Sequence, residues 1–135
     1  MSFKERSAWI MALAMGLVGG WYVLTLWKTG GTAPMLPALV AYIICLTVLS
    51  VVGHTAAAML SPGDAKAGDD ERDRQIAARA GNVGGFVFGF SVVCALGWYL
   101  FDRDGDLLFH LVFASLALGQ FATSLTQIAL YRRGG

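Results

Sequence analysis

Four long segments of the chain contain no Asp, Glu, Lys or Arg, and the charged residues are concentrated between them and at the two ends. The uncharged segments cover residues 7–27, 29–63, 80–101 and 107–131. Because a helix rises about 1.5 Å per residue, about 20 apolar residues cross the hydrocarbon core of a bilayer, which is about 30 Å thick. Each segment is therefore long enough to form one transmembrane helix.

The second segment is longer than a single span requires, and its prolines indicate where the helix within it begins and ends. Pro34 and Pro37 suit the first turn of a helix, and Ser61-Pro62-Gly63 ends it. The first segment is interpreted as a span rather than a cleaved signal peptide, because no small-x-small site followed by a polar stretch interrupts it. The predicted fold is an all-α, four-helix transmembrane bundle in one integral membrane domain over 1–135. Its helices cover about 7–27, 36–60, 80–101 and 107–131, and a polar loop covers 61–79.

Lys and Arg are distributed unevenly between the two sides of this arrangement. Only Lys28 and Arg103 fall on one side. Because cytoplasmic segments carry the excess of basic residues, the pattern predicts that both termini and the 61–79 loop are cytoplasmic, in a bacterial inner membrane. The eight basic residues on the predicted cytoplasmic side are Lys4, Arg6, Lys66, Arg72, Arg74, Arg79, Arg132 and Arg133.

Composition agrees with a membrane protein and excludes several other classes. Hydrophobic residues make up 56% of the 135 residues and charged residues 14%, and the net charge is +1. A disordered chain and a basic nucleic-acid-binding domain are excluded by these values. The two cysteines form no CxxC motif, which argues against a zinc knuckle or a disulfide framework. We expect no nucleic-acid partner, no metal and no cofactor.

Carboxylates and basic side chains are almost absent from the predicted spans, in which His54 and His110 are the two exceptions. Ion-coupled transporters and proton relays depend on an intramembrane carboxylate or base. Small four-helix multidrug transporters have a glutamate in the first helix, and residues 7–27 contain none. No nucleophile–base pair or metal cluster is visible in the sequence, so we expect no catalytic residues and no enzyme activity.

The fourth predicted helix carries the most polar residues of the four. Gln120, Ser124 and Gln127 are spaced at i, i+4 and i+7 and share one helix face. His54 and Asn82 fall at depths similar to those of Ser124 and Gln127, so helices two, three and four are candidates to form a polar intramembrane site. The alternative, which we favour, is that these side chains form interhelical hydrogen bonds, with His54 as a neutral imidazole bonded to a neighbouring helix.

Small residues recur every four positions on two helices and predict close packing seams. Gly81, Gly85 and Gly89 form the stripe on helix three, and Ser115, Gly119 and Thr123 form a lesser one on helix four. Small side chains at this spacing allow two helix backbones to approach closely. Whether each seam joins helices within one chain or between two copies is left open. On helix one the stripe consists of Ala8, Ala12, Gly16 and Gly20.

A charged run precedes the third helix, and the pairs Asp70/Arg74 and Asp69/Arg72 fit a solvated helical turn. The segment Asp70-Glu71-Arg72-Asp73-Arg74-Gln75-Ile76, followed by a glycine-rich apolar span, resembles a family of small, uncharacterised bacterial membrane proteins. That family carries a DERDxxI-like motif before a transmembrane hairpin. The resemblance covers about residues 69–101 and implies only a multi-span protein of unknown function. The later run 102–106 is predicted to be an Asp-Gly turn between antiparallel helices, not a calcium loop.

Two functional classes follow from these patterns. The first is a non-enzymatic inner-membrane protein that acts as an accessory subunit or a self-associating helical bundle, because packing signals are strong and reactive groups are sparse. Its expected partners are the lipid bilayer and either a second copy or another membrane protein. The alternative is a small transporter or channel for a neutral or weakly polar solute, which uses the Gln/Ser/His face within an oligomer.

Overall fold

The computed structural model describes residues 3–30, 35–60, 63 and 70–133. Nearly all of them belong to four helices: α1 (Phe3–Lys28), α2 (Met35–Leu60), α3 (Glu71–Asp102) and α4 (Gly105–Arg132). Each helix is long and apolar enough to cross a membrane. The prediction of an all-helical chain with four such helices is confirmed.

Helix α3 begins at residue 71, nine residues before the predicted start at residue 80. Asp70 caps this helix, because its carboxylate accepts a hydrogen bond of 2.7 Å from the main-chain N–H of Asp73. The acidic residues Glu71 and Asp73 lie in the first turn, where the helix dipole favours negative charge. Residues 71–79 are therefore helical and not part of a loop, which corrects the predicted 61–79 loop. Residues 61, 62 and 64–69 lie outside the described part of the chain.

The predicted Asp70/Arg74 pair does not form, since the Asp70 carboxylate is used as the helix cap. Asp69, the acidic member of the other predicted pair, lies outside the described residues. The segment resembling a DERDxxI motif nevertheless has a clear local role. Asp70 starts the helix, and Ile76 is only 3% exposed.

Two residues, Arg103 and Asp104, connect α3 to α4. Arg103 adopts the left-handed conformation at φ 57° and its N–H donates to the carbonyl of Tyr99 at 2.9 Å. The Asp104 carboxylate caps α4 by accepting from the N–H groups of Asp106 and Leu107. The expected short turn is present, but its left-handed residue is Arg103, whereas Gly105 is the first residue of α4.

The helices are arranged in an open row in the spatial order α2, α1, α4, α3. Helix α1 packs against both α2 and α4, and α3 packs mainly against α4. Neighbouring helices are antiparallel. The end of α4 meets the beginning of α1 through the Glu5–Arg132 ion pair and the beginning of α3 through the Tyr131–Asp73 hydrogen bond, and Ser7 near the beginning of α1 meets His54 near the end of α2. This common end is called the charged end below. Helices α2 and α3 occupy the two edges of the row.

Helices α3 and α4 approach most closely where two glycines face each other. A Cβ atom added to Gly84 would collide with the Thr123 hydroxyl and lie 2.7 Å from the carbonyl oxygen of Gly119. One added to Gly119 would lie 2.7 Å from the Cβ of Phe88. Gly119 and Thr123 thus form a packing seam within the chain, as the small-residue pattern of helix four predicts. Their partner, Gly84, is not a member of the predicted Gly81/Gly85/Gly89 stripe.

The predicted small-residue stripe of α1 lies partly against α4. Ala8 and Ala12 are buried in a cluster with Ile128, and the Cβ position of Gly16 lies 3.6 Å from the ring of Phe121. Gly20 has no neighbouring atom within 4 Å of its Cβ position. The contact with α4 therefore uses the half of the stripe nearer the charged end.

The stripe of Gly81, Gly85 and Gly89 on α3 packs against none of the residues that the structure describes. All three residues are exposed, and no neighbouring atom lies within 4 Å of any of their Cβ positions. Of the two alternatives left open by the sequence, a seam between helices one and three of one chain is not formed. The remaining alternative is that this stripe contacts a second copy of the chain.

A polar network joins three helices at the charged end. Lys4 on α1 lies 3.0 Å from the Asp73 carboxylate on α3, and the Tyr131 hydroxyl on α4 donates to the same carboxylate at 3.0 Å. The Arg132 guanidinium lies 5.2 Å from the centre of the Trp9 ring, in a cation–π contact. Burial alone would raise the pKa of Asp73, but the hydrogen bonds from Lys4 and Tyr131 outweigh it, so this pKa lies below its ordinary value.

The lowered pKa of Asp73 makes the stability of this network depend on pH. Because the folded protein holds the carboxylate ionised, the network stabilises the fold above the ordinary pKa and this contribution is lost as pH falls through the lowered value. We expect the thermal midpoint of the wild type to fall more steeply below about pH 4 than that of Asp73→Asn. The expected loss of unfolding free energy is under about 1 kcal/mol, because the Lys4–Asp73 pair is partly exposed. Parallel pH profiles for the two proteins would contradict this role of Asp73.

Candidate functional site

His54 connects α2 to α1. Its Nδ1 lies 2.7 Å from the carbonyl oxygen of Ser50, and its Nε2 lies 2.7 Å from the hydroxyl of Ser7. Because a carbonyl only accepts, Nδ1 carries the proton, and in the neutral imidazole Nε2 accepts from the Ser7 hydroxyl. This is the interhelical hydrogen bond that we favoured for His54, and its partner is on α1.

A serine hydrogen bonded to an oriented imidazole is also the first part of a nucleophilic site. This pair could not be predicted from the sequence, because Ser7 and His54 are 47 residues apart. Acyl transfer also requires space for a substrate carbonyl and donors that stabilise the oxyanion. Neither residue lines any of the cavities described below. The Ser7–His54 contact is therefore best explained as an interhelical bond between α1 and α2.

The other four candidate residues do not join His54. Ser124 is 1% exposed, and its hydroxyl donates to the main-chain oxygen of Gln120 on its own helix. Asn82 and Gln120 are exposed, and Gln127 is half-buried. None of these three amide side chains has a hydrogen-bond partner within the described part of the chain. His54 is thus bonded to α1 and Ser124 to its own helix, and no hydrogen bond among the described residues joins the five candidates in one site.

Gln120 differs from the other two amides in its position along the helix. Helix α4 runs from residue 105 to residue 132, so Gln120 lies about 2 Å from its middle along the axis. Gln127 is about 13 Å from the middle, and Asn82 is near the start of the uncharged part of α3. Only Gln120 therefore presents an exposed carboxamide at the centre of an apolar helix.

The serine and threonine hydroxyls of α4 are satisfied by their own helix, because each donates to the carbonyl oxygen four residues earlier. A carboxamide has two N–H donors and a carbonyl acceptor to satisfy, and one such bond would not satisfy them all. Gln120 makes no such bond. The residues that do are Ser115, Thr123, Ser124 and Thr126.

Gln120 and the exposed glycines of α3 lie on the same side of the α3–α4 pair. A groove of about 280 Å³ on one side of the pair is lined by Cys94 of α3 and Leu118 of α4, among others. Successive helix residues are rotated by about 100°, so Gly85, nine residues from Cys94, points to the opposite side of α3. Gln120, two residues from Leu118, likewise points away from the groove.

Gly85 of α3 and Gln120 of α4 also lie at the same position along the axes of the two helices. The contacts of Gly84 with Gly119 and Thr123 place this part of α3 level with residues 119–123 of α4. Gly85 therefore lies beside Gln120. The surface that they share is called the Gln120 face below, and it consists of Gly81, Gly85 and Gly89 of α3 with Leu116 and Gln120 of α4, all exposed.

No family model, no curated protein and no solved structure matches the chain. The resemblance of residues 69–101 to the DERDxxI-containing family stays a prediction from the sequence. A functional conclusion therefore depends on the geometry of the molecule.

A buried aromatic cluster at the end opposite the charged end was not predicted. Tyr22 of α1 and His110 of α4 are 2% and 1% exposed, and the Tyr22 hydroxyl lies 2.5 Å from His110 Nδ1. Tyr42 of α2 and Phe113 of α4 pack edge-on against Tyr22. Nε2 of His110 has no hydrogen-bond partner within the described part of the chain. His110 is therefore a buried packing residue that links α4 to α1.

A sequence signal for this cluster was present. Tyr22 lies six residues before the end of α1 and His110 five residues after the start of α4, so antiparallel packing places them at similar depths. A cavity of about 420 Å³ borders the cluster, and Tyr22, Tyr42 and Phe113 form part of its wall. Its lining contains no charged side chain. In the described part of the chain, no group of three His, Cys, Asp or Glu residues is placed to hold a metal ion.

Proposed function

We propose that this chain is a non-enzymatic integral membrane protein of the bacterial inner membrane that assembles with other transmembrane helices. It acts as an accessory subunit or as a self-associating bundle, with both termini in the cytoplasm. The uneven distribution of Lys and Arg supports this orientation. The observation that carries the proposal is the exposed Gln120 amide at the middle of α4.

The physical reason is that the bilayer interior offers no hydrogen-bond partner. A polar group left unsatisfied in hydrocarbon costs several kcal/mol, and Gln120 is too far from either end of α4 for its short side chain to reach water. A polar group supplied by another polypeptide removes this penalty. A chain that presents such an amide on its surface is therefore stabilised by assembly.

Gentle native purification from membranes tests this proposal, followed by mass determination in detergent and identification of copurifying proteins. We expect the protein in a complex larger than one chain. A stoichiometric unrelated protein supports an accessory subunit, and a homogeneous oligomer of this chain supports self-association. A monomer that copurifies with nothing would contradict the proposal.

A transporter for a neutral solute predicts a different property of the same residue. Its pathway must be open to water, so a cysteine placed at Gln120 in a Cys45→Ala/Cys94→Ala background would react with a membrane-impermeant maleimide. We expect no reaction at residue 120 in intact membranes. A cysteine placed at Arg103, in the exposed α3–α4 turn, serves as the reactive control. Rapid labelling of both positions would favour the transporter over the assembly role.

A further inference from the structure

We propose that two copies of this chain associate through the Gln120 face, with the two Gln120 side chains hydrogen bonded to each other across the contact. This inference rests on the proposed assembly role and names the partner as a second copy of the same chain. Gln120 is the residue that carries it, because its amide is exposed at mid-helix and has no hydrogen-bond partner among the described residues.

A carboxamide is complementary to itself. Each Gln side chain has two N–H donors and a carbonyl acceptor, so two facing amides can form a pair of reciprocal N–H···O bonds. In a two-fold symmetric dimer the same surface is present on both subunits, and a residue on the axis meets its own copy. Gln120 therefore finds in a second copy the donor and the acceptor that the described residues of its own chain do not provide.

The surroundings of Gln120 provide the space that such a pair needs. No neighbouring atom lies within 4 Å of the Cβ positions of Gly81, Gly85 and Gly89. Glycines spaced four residues apart leave a shallow notch along a helix, in which the backbone of a second helix can lie. Because Gly85 is level with Gln120, a helix in this notch comes within reach of the amide.

The rest of the face is apolar, which limits the class of partner. Leu116, one turn before Gln120, is 52% exposed, and the face contains no charged residue. An ionic partner would therefore bury its charge against glycine and leucine without compensation. The groove on the opposite side of the α3–α4 pair differs in having no carboxamide in its lining. Phe90 and Leu118 line this groove, and lipid chains can fill it.

The dissociation constant of the full-length protein in lipid nanodiscs or detergent, measured by fluorescence energy transfer or sedimentation equilibrium, tests this contact. Gln120→Leu is expected to weaken self-association about 10-fold, as expected for loss of interhelical hydrogen bonds in an apolar medium. Gly85→Leu, which fills the notch, is expected to weaken it at least as much. Leu118→Ala is the matched control on the opposite side, at the same depth, and is expected to leave the constant unchanged.

Crosslinking provides a second measurement that does not depend on the effect of these substitutions on folding. In a Cys45→Ala/Cys94→Ala background, Gln120→Cys is expected to form a disulfide-linked dimer on mild oxidation, whereas Leu118→Cys is not. If Gln120→Leu and Gly85→Leu associate as tightly as the wild type, or if Leu118→Cys crosslinks and Gln120→Cys does not, the proposed contact through Gln120 is wrong. An oligomer or a foreign partner held through another surface would still support the assembly role, whereas an isolated monomer would overturn both.

Discussion

Gly84→Leu is expected to destabilise the fold by about 3 kcal/mol or more, because it forces side-chain atoms into the closest contact between α3 and α4. The Cβ atom alone collides with the Thr123 hydroxyl and crowds the carbonyl oxygen of Gly119. Backbone atoms on the opposing helix cannot move aside as the end of a flexible side chain can. The two helices must separate, and the seam loses its packing. Thermal or denaturant unfolding in detergent, followed by circular dichroism, measures the effect.

Two further variants show whether the effect comes from this contact. Gly97→Leu changes another glycine of α3, and no neighbouring atom lies within 4 Å of its Cβ position, so little change is expected. Gly84→Ala is expected to fall between the wild type and Gly84→Leu, since even one methyl group collides. Equal stabilities for the two leucine variants would show that α3 and α4 do not meet at Gly84.

His110→Ala is expected to destabilise the protein by about 3 kcal/mol. The substitution leaves a cavity beside the rings of Tyr22 and Phe109, and it also leaves the buried Tyr22 hydroxyl without its hydrogen-bond partner. Both effects act at the contact between α1 and α4. The unfolding free energy in detergent, compared with that of the wild type, is the measurement.

The hydrogen bond can be separated from the packing with a double-mutant cycle. Tyr22→Phe removes one partner, and His110→Leu removes the other while retaining much of the volume. Each single change leaves a buried polar atom unpaired, whereas the double variant leaves none of this pair. The double variant is therefore expected to be less destabilised than the sum of the two single variants. Strict additivity would show that Tyr22 and His110 do not interact.

The four helices could be predicted because long uncharged segments are a strong signal, but the start of α3 could not. Residues 71–79 are charged, and charge argues against burial in a bilayer, not against helical structure. The signal for the true boundary was Asp70, whose side chain is suited to capping a helix. Hydropathy identifies the apolar part of a helix, whereas capping residues identify where the helix begins.

The packing of the helices was less predictable, because helix neighbours depend on contacts far apart in sequence. The spacing of Gly81, Gly85 and Gly89 shows a stripe but not what faces it, and the adjacent Gly84, about 100° around the helix, makes the contact with α4. His54 similarly finds Ser7, a residue that the polar pattern did not single out. Gln120 was identified as a candidate, but its lack of a partner became visible only in three dimensions.

The spatial order α2, α1, α4, α3 determines how the chain can assemble during its synthesis. Helices α1 and α2, and helices α3 and α4, are consecutive in the sequence and are also neighbours in space. Each hairpin can therefore form as soon as its second helix leaves the ribosome and enters the membrane. The contact between α1 and α4 must wait until the last helix has been made, when residues near the two ends of the chain come together. Docking of one hairpin on the other therefore follows the synthesis of α4, and it forms the Lys4–Asp73 ion pair at one end of the helices and the Tyr22–His110 contact at the other.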